Sequence, residues 1–273
     1  MRSIMDWFYP RHAHAGASGR DELAPVYFLH IPKTAGTSMR LVMAERYGDR
    51  LCPAGMWDDF FRAPELQSTS YDAYAGHFGM DLPKFLRKHM RVFTLLREPI
   101  ARTLSHYLEV RRTTTHPLHD LVSTQTLRDF VFDPATVPMV VNFQARYLAS
   151  TGLALEEFSR IFTPYWHSRY TLSVAWETAS CYVDTSTLKE AAKSALRSLD
   201  FVGLTEDFEE ELRRLQKILG FRTIHVPRSN TSPREYADQP IEPDVEQRIR
   251  YLTSVDAELY TAAQELRKQS KLT

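Results

Sequence analysis

Two short, nearly continuous apolar runs punctuate the chain: Val26-Tyr27-Phe28-Leu29-His30-Ile31 and Val92-Phe93-Thr94-Leu95-Leu96-Arg97. Runs of this length without polar alternation are what strands covered on both faces of a parallel sheet show. Each is followed by a helical pattern. After the first, Met39, Val42, Met43 and Tyr47 recur at helical spacing, and Gly48 is placed to end the helix. After the second, Glu98-Pro99 leads into Ile100 to Arg112, with Pro99 suited to a first helical turn. Tyr71 to Ala75 reads as a further strand, Ala191 to Leu199 as a helix and Phe201 to Leu204 as a strand. Phe208, Leu212, Leu215 and Ile218 mark a helix capped by Asp207. Val245, Ile249, Leu252, Val255, Leu259 and Leu266 lie on one face of a single long final helix. This alternation predicts an α/β fold of three layers, a mostly parallel central sheet flanked by helices. Residues 1–24 carry no periodicity and read as a flexible lead-in, with one domain over 25–273. From His116 to Asp184 four prolines interrupt mixed periodicity, and no elements are assigned there.

Composition narrows the function. The 34 Lys and Arg balance the 34 Asp and Glu, so the molecule as a whole has no electrostatic footprint of a nucleic-acid binder. Cys52 and Cys181 stand far apart and in no metal-ligand spacing, which suggests neither a zinc site nor a disulfide framework. No stretch approaches the roughly 20 apolar residues that span a bilayer, and the first 24 residues lack a signal peptide's apolar core. A cytoplasmic location is expected, a Golgi-luminal one only for a trimmed chain.

The turn after the first strand, Pro32-Lys33-Thr34-Ala35-Gly36-Thr37-Ser38, carries the chemistry. A helix starting beyond the carboxyl end of a parallel strand points unpaired N–H groups and about half a positive charge at an anion. Gly36 permits close backbone approach, Thr37 and Ser38 add hydroxyls, and Lys33 adds a mobile cation. Gly-Thr-Ser alone reads rather as an ordinary capped turn; the lysine, the buried strand and the amphipathic helix together favour a phosphate or sulfate site. The nucleoside triphosphate loop places its lysine after the second glycine, whereas Lys33 precedes Gly36 by three. At the second turn, Arg97 at the strand end and Ser105 on the next helix offer a fork and a hydroxyl to a phosphate, although Arg97 also suits an ordinary salt bridge. Lys84 to Arg112 holds eight Lys or Arg against Glu98 and Glu109, a local excess that suits an anionic cofactor or a solvated basic face.

His30 to Ser38 resembles the 5′-phosphosulfate loop of sulfotransferases that use 3′-phosphoadenosine 5′-phosphosulfate (PAPS), closest to the branch of the heparan sulfate 2-O- and 6-O-sulfotransferases and their bacterial relatives. Arg97 and Ser105 resemble that family's 3′-phosphate motif. Asn142-Phe143-Gln144-Ala145-Arg146-Tyr147-Leu148, Phe201 to Glu206 and the Asn230-Thr231-Ser232 loop are similar to further stretches of it. The last of these reads equally as a polar turn before Pro233.

The resemblance implies a P-loop-like fold and donor contacts from Lys33, Thr34, Ala35, Gly36, Thr37, Ser38, Arg97, Ser105, Asn230, Thr231 and Ser232. It also implies adenosine 3′,5′-bisphosphate as product, no metal, and a hydroxyl-bearing acceptor that is a glycan or glycolipid. Transfer to a hydroxyl needs a base and positive charge on the leaving oxygen. Lys33 suits the second task. His77, in Tyr74-Ala75-Gly76-His77-Phe78-Gly79, reads in isolation as a loop histidine but resembles the family's catalytic one. His30, at the end of the first strand, would orient the loop. A P-loop kinase and a non-catalytic nucleotide-binding module are the competing readings. Against the kinase, the strand Val92 to Arg97 ends in arginine, not in a magnesium-holding aspartate.

Overall fold

A computed structural model describes residues 24–149, 171–219 and 240–270 of the chain. Among the described residues, four strands form one parallel sheet: β1 (Val26–Leu29), β2 (Ala73–Gly76), β3 (Arg91–Leu96) and β4 (Phe201–Leu204), in the order β2-β1-β3-β4. The pairing is in register from Val26 opposite Ala73 and Arg91 to Leu96 opposite Leu204. Side chains alternate between two buried layers, as the period of two requires. Tyr27 and Leu29 enter one core with Tyr74, Val92 and Leu96. Val26 and Phe28 enter the other with Ala73, Ala75, Phe93 and Leu95. Both faces are covered, which is why the strands read as unbroken apolar runs.

The helices that matter to the site are α1 (Gly36–Tyr47), α2 (Trp57–Arg62), α3 (Leu82–Leu86), α4 (Pro99–Arg112), α5 (Leu127–Phe132), α6 (Phe143–Leu148), α7 (Thr171–Ala179), α8 (Thr185–Ser198), α9 (Phe208–Leu219), α10 (Pro243–Leu252) and α11 (Ser254–Ser270). Met39, Val42 and Met43 of α1 and Leu212 and Leu215 of α9 cover one face of the sheet. Trp57 and Phe60 of α2, Phe143 and Tyr147 of α6, Leu188 and Ala192 of α8 and Leu259 of α11 build the other core. A third cluster joins Tyr107 and Val110 of α4 to Phe130 of α5 and to Val245, Ile249 and Leu252 of α10.

Several boundaries and caps depart from the sequence pattern. The final helix is two, broken at Thr253: Asn142 donates its N–H to the Leu252 carbonyl (2.9 Å) and accepts the Val255 N–H on Oδ1 (3.0 Å). Because Asn142 satisfies the backbone groups that the break exposes, the apolar stripe runs through it without interruption. Asp207, immediately before α9, ends a 3₁₀ turn, Thr205–Asp207, that runs straight into the helix, and its carboxylate pairs with Arg267. The α8 helix begins earlier than expected, at Thr185, where Asp184 accepts the Thr187 N–H at 3.0 Å. The lead-in over 1–24 lies, but for Ala24, outside the described residues.

With β2 on one side of β1 and β3 on the other, the chain reverses direction across the sheet between β1 and β3. Such a switch point leaves a crevice beyond the carboxyl ends of the two strands, where open α/β sheets take their ligands.

Candidate active site

A cavity of about 390 Å³ opens at that crevice. The turn from β1 to α1 forms one wall. Lys33 (φ 75°) and Ala35 (φ 62°) both occupy the left-handed region, at a cost of about 1–3 kcal/mol each for non-glycine residues. The turn is held from within and without. Thr34 is fully buried, and both its hydroxyl (2.9 Å) and its N–H (3.3 Å) go to the Ile31 carbonyl. Arg97 Nη1 donates to the Lys33 carbonyl at 3.2 Å. Ala35 cannot cap α1 with a side chain, and the first turn contains no acid, so the positive end of this 12-residue helix faces the cavity without a cap or an acid of its own.

Gly36 is required by its neighbour: a methyl group there would lie 1.5 Å from His30 Nε2. The His30 ring stacks on Phe28 (5.4 Å, 15°) and lies 4.1 Å, centre to centre, from the ring of His77. His77 follows Gly76 at the end of β2, its N–H held by the Gly55 carbonyl at 2.8 Å. Neither His30 Nδ1 nor His77 Nδ1 meets a hydrogen-bond partner among the described residues. Burial, and then the nearby Arg40, push the His77 imidazole down to about 3. Burial, His77 and Arg40 hold His30 well below the usual histidine range. Both rings are neutral at physiological pH, with lone pairs able to accept a proton.

The opposite wall comes from β3 and α4. Arg97 sits just past the end of β3, and burial lowers its guanidinium somewhat against the pull of Glu206 and Glu98. Ser105, nearly buried, lies two turns along α4, which Glu98 caps by accepting the Ala101 N–H at 2.7 Å. Lys33 reaches across to Glu109 of α4 (Nζ to Oε2, 3.2 Å), and Arg112 pairs with the same carboxylate. Burial draws the Lys33 ammonium below the usual lysine range, Glu109 restoring part of it.

Lys33, Ala35, Gly36, Thr37, Ser38, His77, Arg97 and Ser105 therefore line one cavity. Thr34 does not, since its polar groups are committed to Ile31. Asn230, Thr231 and Ser232 lie outside the described residues. The basic excess of Lys84 to Arg112 disperses: Arg102 is buried against the Met139 carbonyl, Arg91 pairs with Asp200, and Lys88 turns to Tyr74. Of that group only Arg97 faces the cavity.

The sequence profile of the sulfotransferase family matches residues 20–265 of this chain, nearly its whole length. The chain belongs to the sulfotransferase family. No curated protein sequence matches it.

The cavity of this sulfotransferase also holds groups that the sequence did not single out. Glu109 was legible in principle, four residues after Ser105 and three before Arg112 on one helical face. His106 lies on the same face, its Nδ1 3.2 Å from the Met139 carbonyl, and burial and then Arg102 hold it well below the usual histidine range. Glu177 comes from α7, within the stretch whose periodicity predicted nothing. It accepts the Tyr147 hydroxyl, and burial raises its carboxyl above the usual range, Tyr147 and Arg146 opposing. Among the described residues of the sulfotransferase no helix is long and apolar enough to cross a membrane, and no three His, Cys, Asp or Glu side chains are grouped to hold a metal ion.

Proposed function

We propose that this sulfotransferase moves the sulfuryl group of PAPS to a hydroxyl of a glycan or glycolipid acceptor, by direct in-line transfer without a metal. The observation that carries the reading is the joining, in one cavity, of a helix N-terminus without a side-chain cap and its lysine, a second cationic grip at Arg97 and Ser105, and a neutral, half-buried histidine. Two anion grips on adjacent strand ends suit a donor with phosphate at both its 5′ and 3′ positions better than a donor with one phosphate cluster. The wording of the His30 to Ser38 loop supports the heparan sulfate 2-O- and 6-O-sulfotransferase-like branch, and with it a sugar hydroxyl as acceptor.

The residues present fit this donor. Main-chain N–H groups of Gly36 to Ser38 and the Thr37 and Ser38 hydroxyls hold its 5′ end. Arg97 offers a planar fork, and Ser105 a hydroxyl, to the 3′-phosphate. Asn230, Thr231 and Ser232 add late donor contacts. PAPS supplies the sulfuryl group and leaves as adenosine 3′,5′-bisphosphate. Lys33 and the helix end stabilise the negative charge that grows on the leaving oxygen. His77 takes the proton of the acceptor hydroxyl. Its ring is neutral in the free protein, and the negative charge of bound donor raises its affinity for a proton at the moment it is needed.

Titration calorimetry tests the donor assignment. Adenosine 3′,5′-bisphosphate binds, ATP with magnesium binds more weakly, and Arg97→Glu abolishes the first; tighter binding of ATP with magnesium overturns the reading.

A further inference from the structure

The stretch Asn142 to Leu148 plays no part in the chemistry above, yet every residue of it is buried. Gln144, 1% exposed, makes a two-point contact with the main chain of Arg97: its Oε1 accepts the Arg97 N–H (2.9 Å), and its Nε2 donates to the Arg97 carbonyl (2.8 Å). The amide orientation is forced, because a main-chain N–H only donates and a carbonyl only accepts. Gln144 is fixed in turn. Asp256 of α11 accepts the N–H groups of Gln144 (3.2 Å) and Ala145 (2.8 Å), and Asn142, left-handed at φ 41°, ties the start of α6 to the junction of α10 and α11. Arg97 is thus held at both ends, its main chain by Gln144 and its guanidinium by the Lys33 carbonyl.

We propose that Gln144 is a positioning residue for the 3′-phosphate grip, aiming Arg97 through its main chain without touching the donor. The inference rests on the assignment of Arg97 to the 3′-phosphate. Glutamine is the side chain this task needs: a carboxylate has no N–H for the Arg97 carbonyl and would draw the guanidinium back onto itself.

The test is a mutant cycle read by calorimetry on the full chain with two probes, adenosine 3′,5′-bisphosphate and adenosine 5′-phosphate, which lacks the 3′ group. Gln144→Ala weakens the bisphosphate about tenfold and leaves the monophosphate nearly unchanged; in an Arg97→Ala background it adds nothing further. Gln144→Glu, which keeps the shape and one of the two bonds, gives the same selectivity and carries the test if the alanine variant does not fold. Equal weakening of both probes, or a full effect in the Arg97→Ala background, overturns the positioning role while leaving Arg97 in place. An Arg97→Ala variant that binds both probes as the parent does removes the assignment of Arg97, and the role of Gln144 with it.

Discussion

Gly36 stands where a methyl group would strike His30, and His30 in turn packs against His77, so these three residues set one another's positions. Gly36→Ala is expected to push His30 away and to lower stability by about 1–3 kcal/mol, as overpacking of a tight contact does. Thermal unfolding reads the stability and calorimetry the accompanying loss of donor affinity; an unshifted melting temperature would show that the ring yields freely. His77→Ala is expected to lower turnover roughly 10²- to 10⁴-fold while donor binding survives. With His77 at about 3 in the free protein, kcat/KM should show no acid limb near pH 6.5. A limb there that disappears on substitution of His77 would contradict its neutral state in the free protein. Gly36 was legible through its company, a lysine three residues before it and a buried strand leading in, and His77 through its resemblance to the family's catalytic histidine. Glu109 and Glu177 were not. A carboxylate on a helix reads as solvated surface until a folded partner such as Lys33 or Tyr147 is brought to it.

The strands were legible because burial on both faces leaves an apolar run with no polar gaps, and β1 and β3 fall within a residue or two of where Val26 and Val92 predicted. The helices were legible in existence but not in extent. The break between α10 and α11 left no trace in the stripe from Val245 to Leu266, because it is satisfied by Asn142, 113 residues before Val255 in sequence. Asn142→Ala removes the acceptor of the Val255 N–H and strains a left-handed position, which is expected to cost about 1–3 kcal/mol. Asn142→Asp, which keeps an acceptor oxygen, should recover most of the loss in a urea titration; equal losses would mean that the oxygen is not what matters.

For the molecule as a whole, buried titratable groups set the response to acid. His30, His77 and His106 are all depressed by burial, so the unfolded chain, titrating near 6.5, binds protons that the folded chain refuses. Their contribution to stability is complete above pH 6.5 and is lost progressively as pH falls below it. Asp256, raised by burial to about 6, works in the opposite sense: it stabilises as pH falls from 6 towards 3.8. Glu177, likewise raised by burial, acts in the same sense as Asp256; three histidines outweigh these two carboxyls, so the urea midpoint should fall between pH 7 and 5, and His77→Gln should flatten part of that slope. A midpoint independent of pH would mean that the rings reach water in the folded chain.

The strand order also has a consequence for how the chain is made. β1, β2 and β3 all come from the first 96 residues, but the strand that closes the free edge of β3 begins only at Phe201. At ribosomal rates of about 5–20 residues per second, the edge Val92-Phe93-Thr94-Leu95-Leu96 waits roughly 5–20 s for its partner. Until then it is an apolar template open to neighbouring nascent chains, so slow elongation, or truncation ahead of β4, favours aggregation over a soluble, half-built sheet.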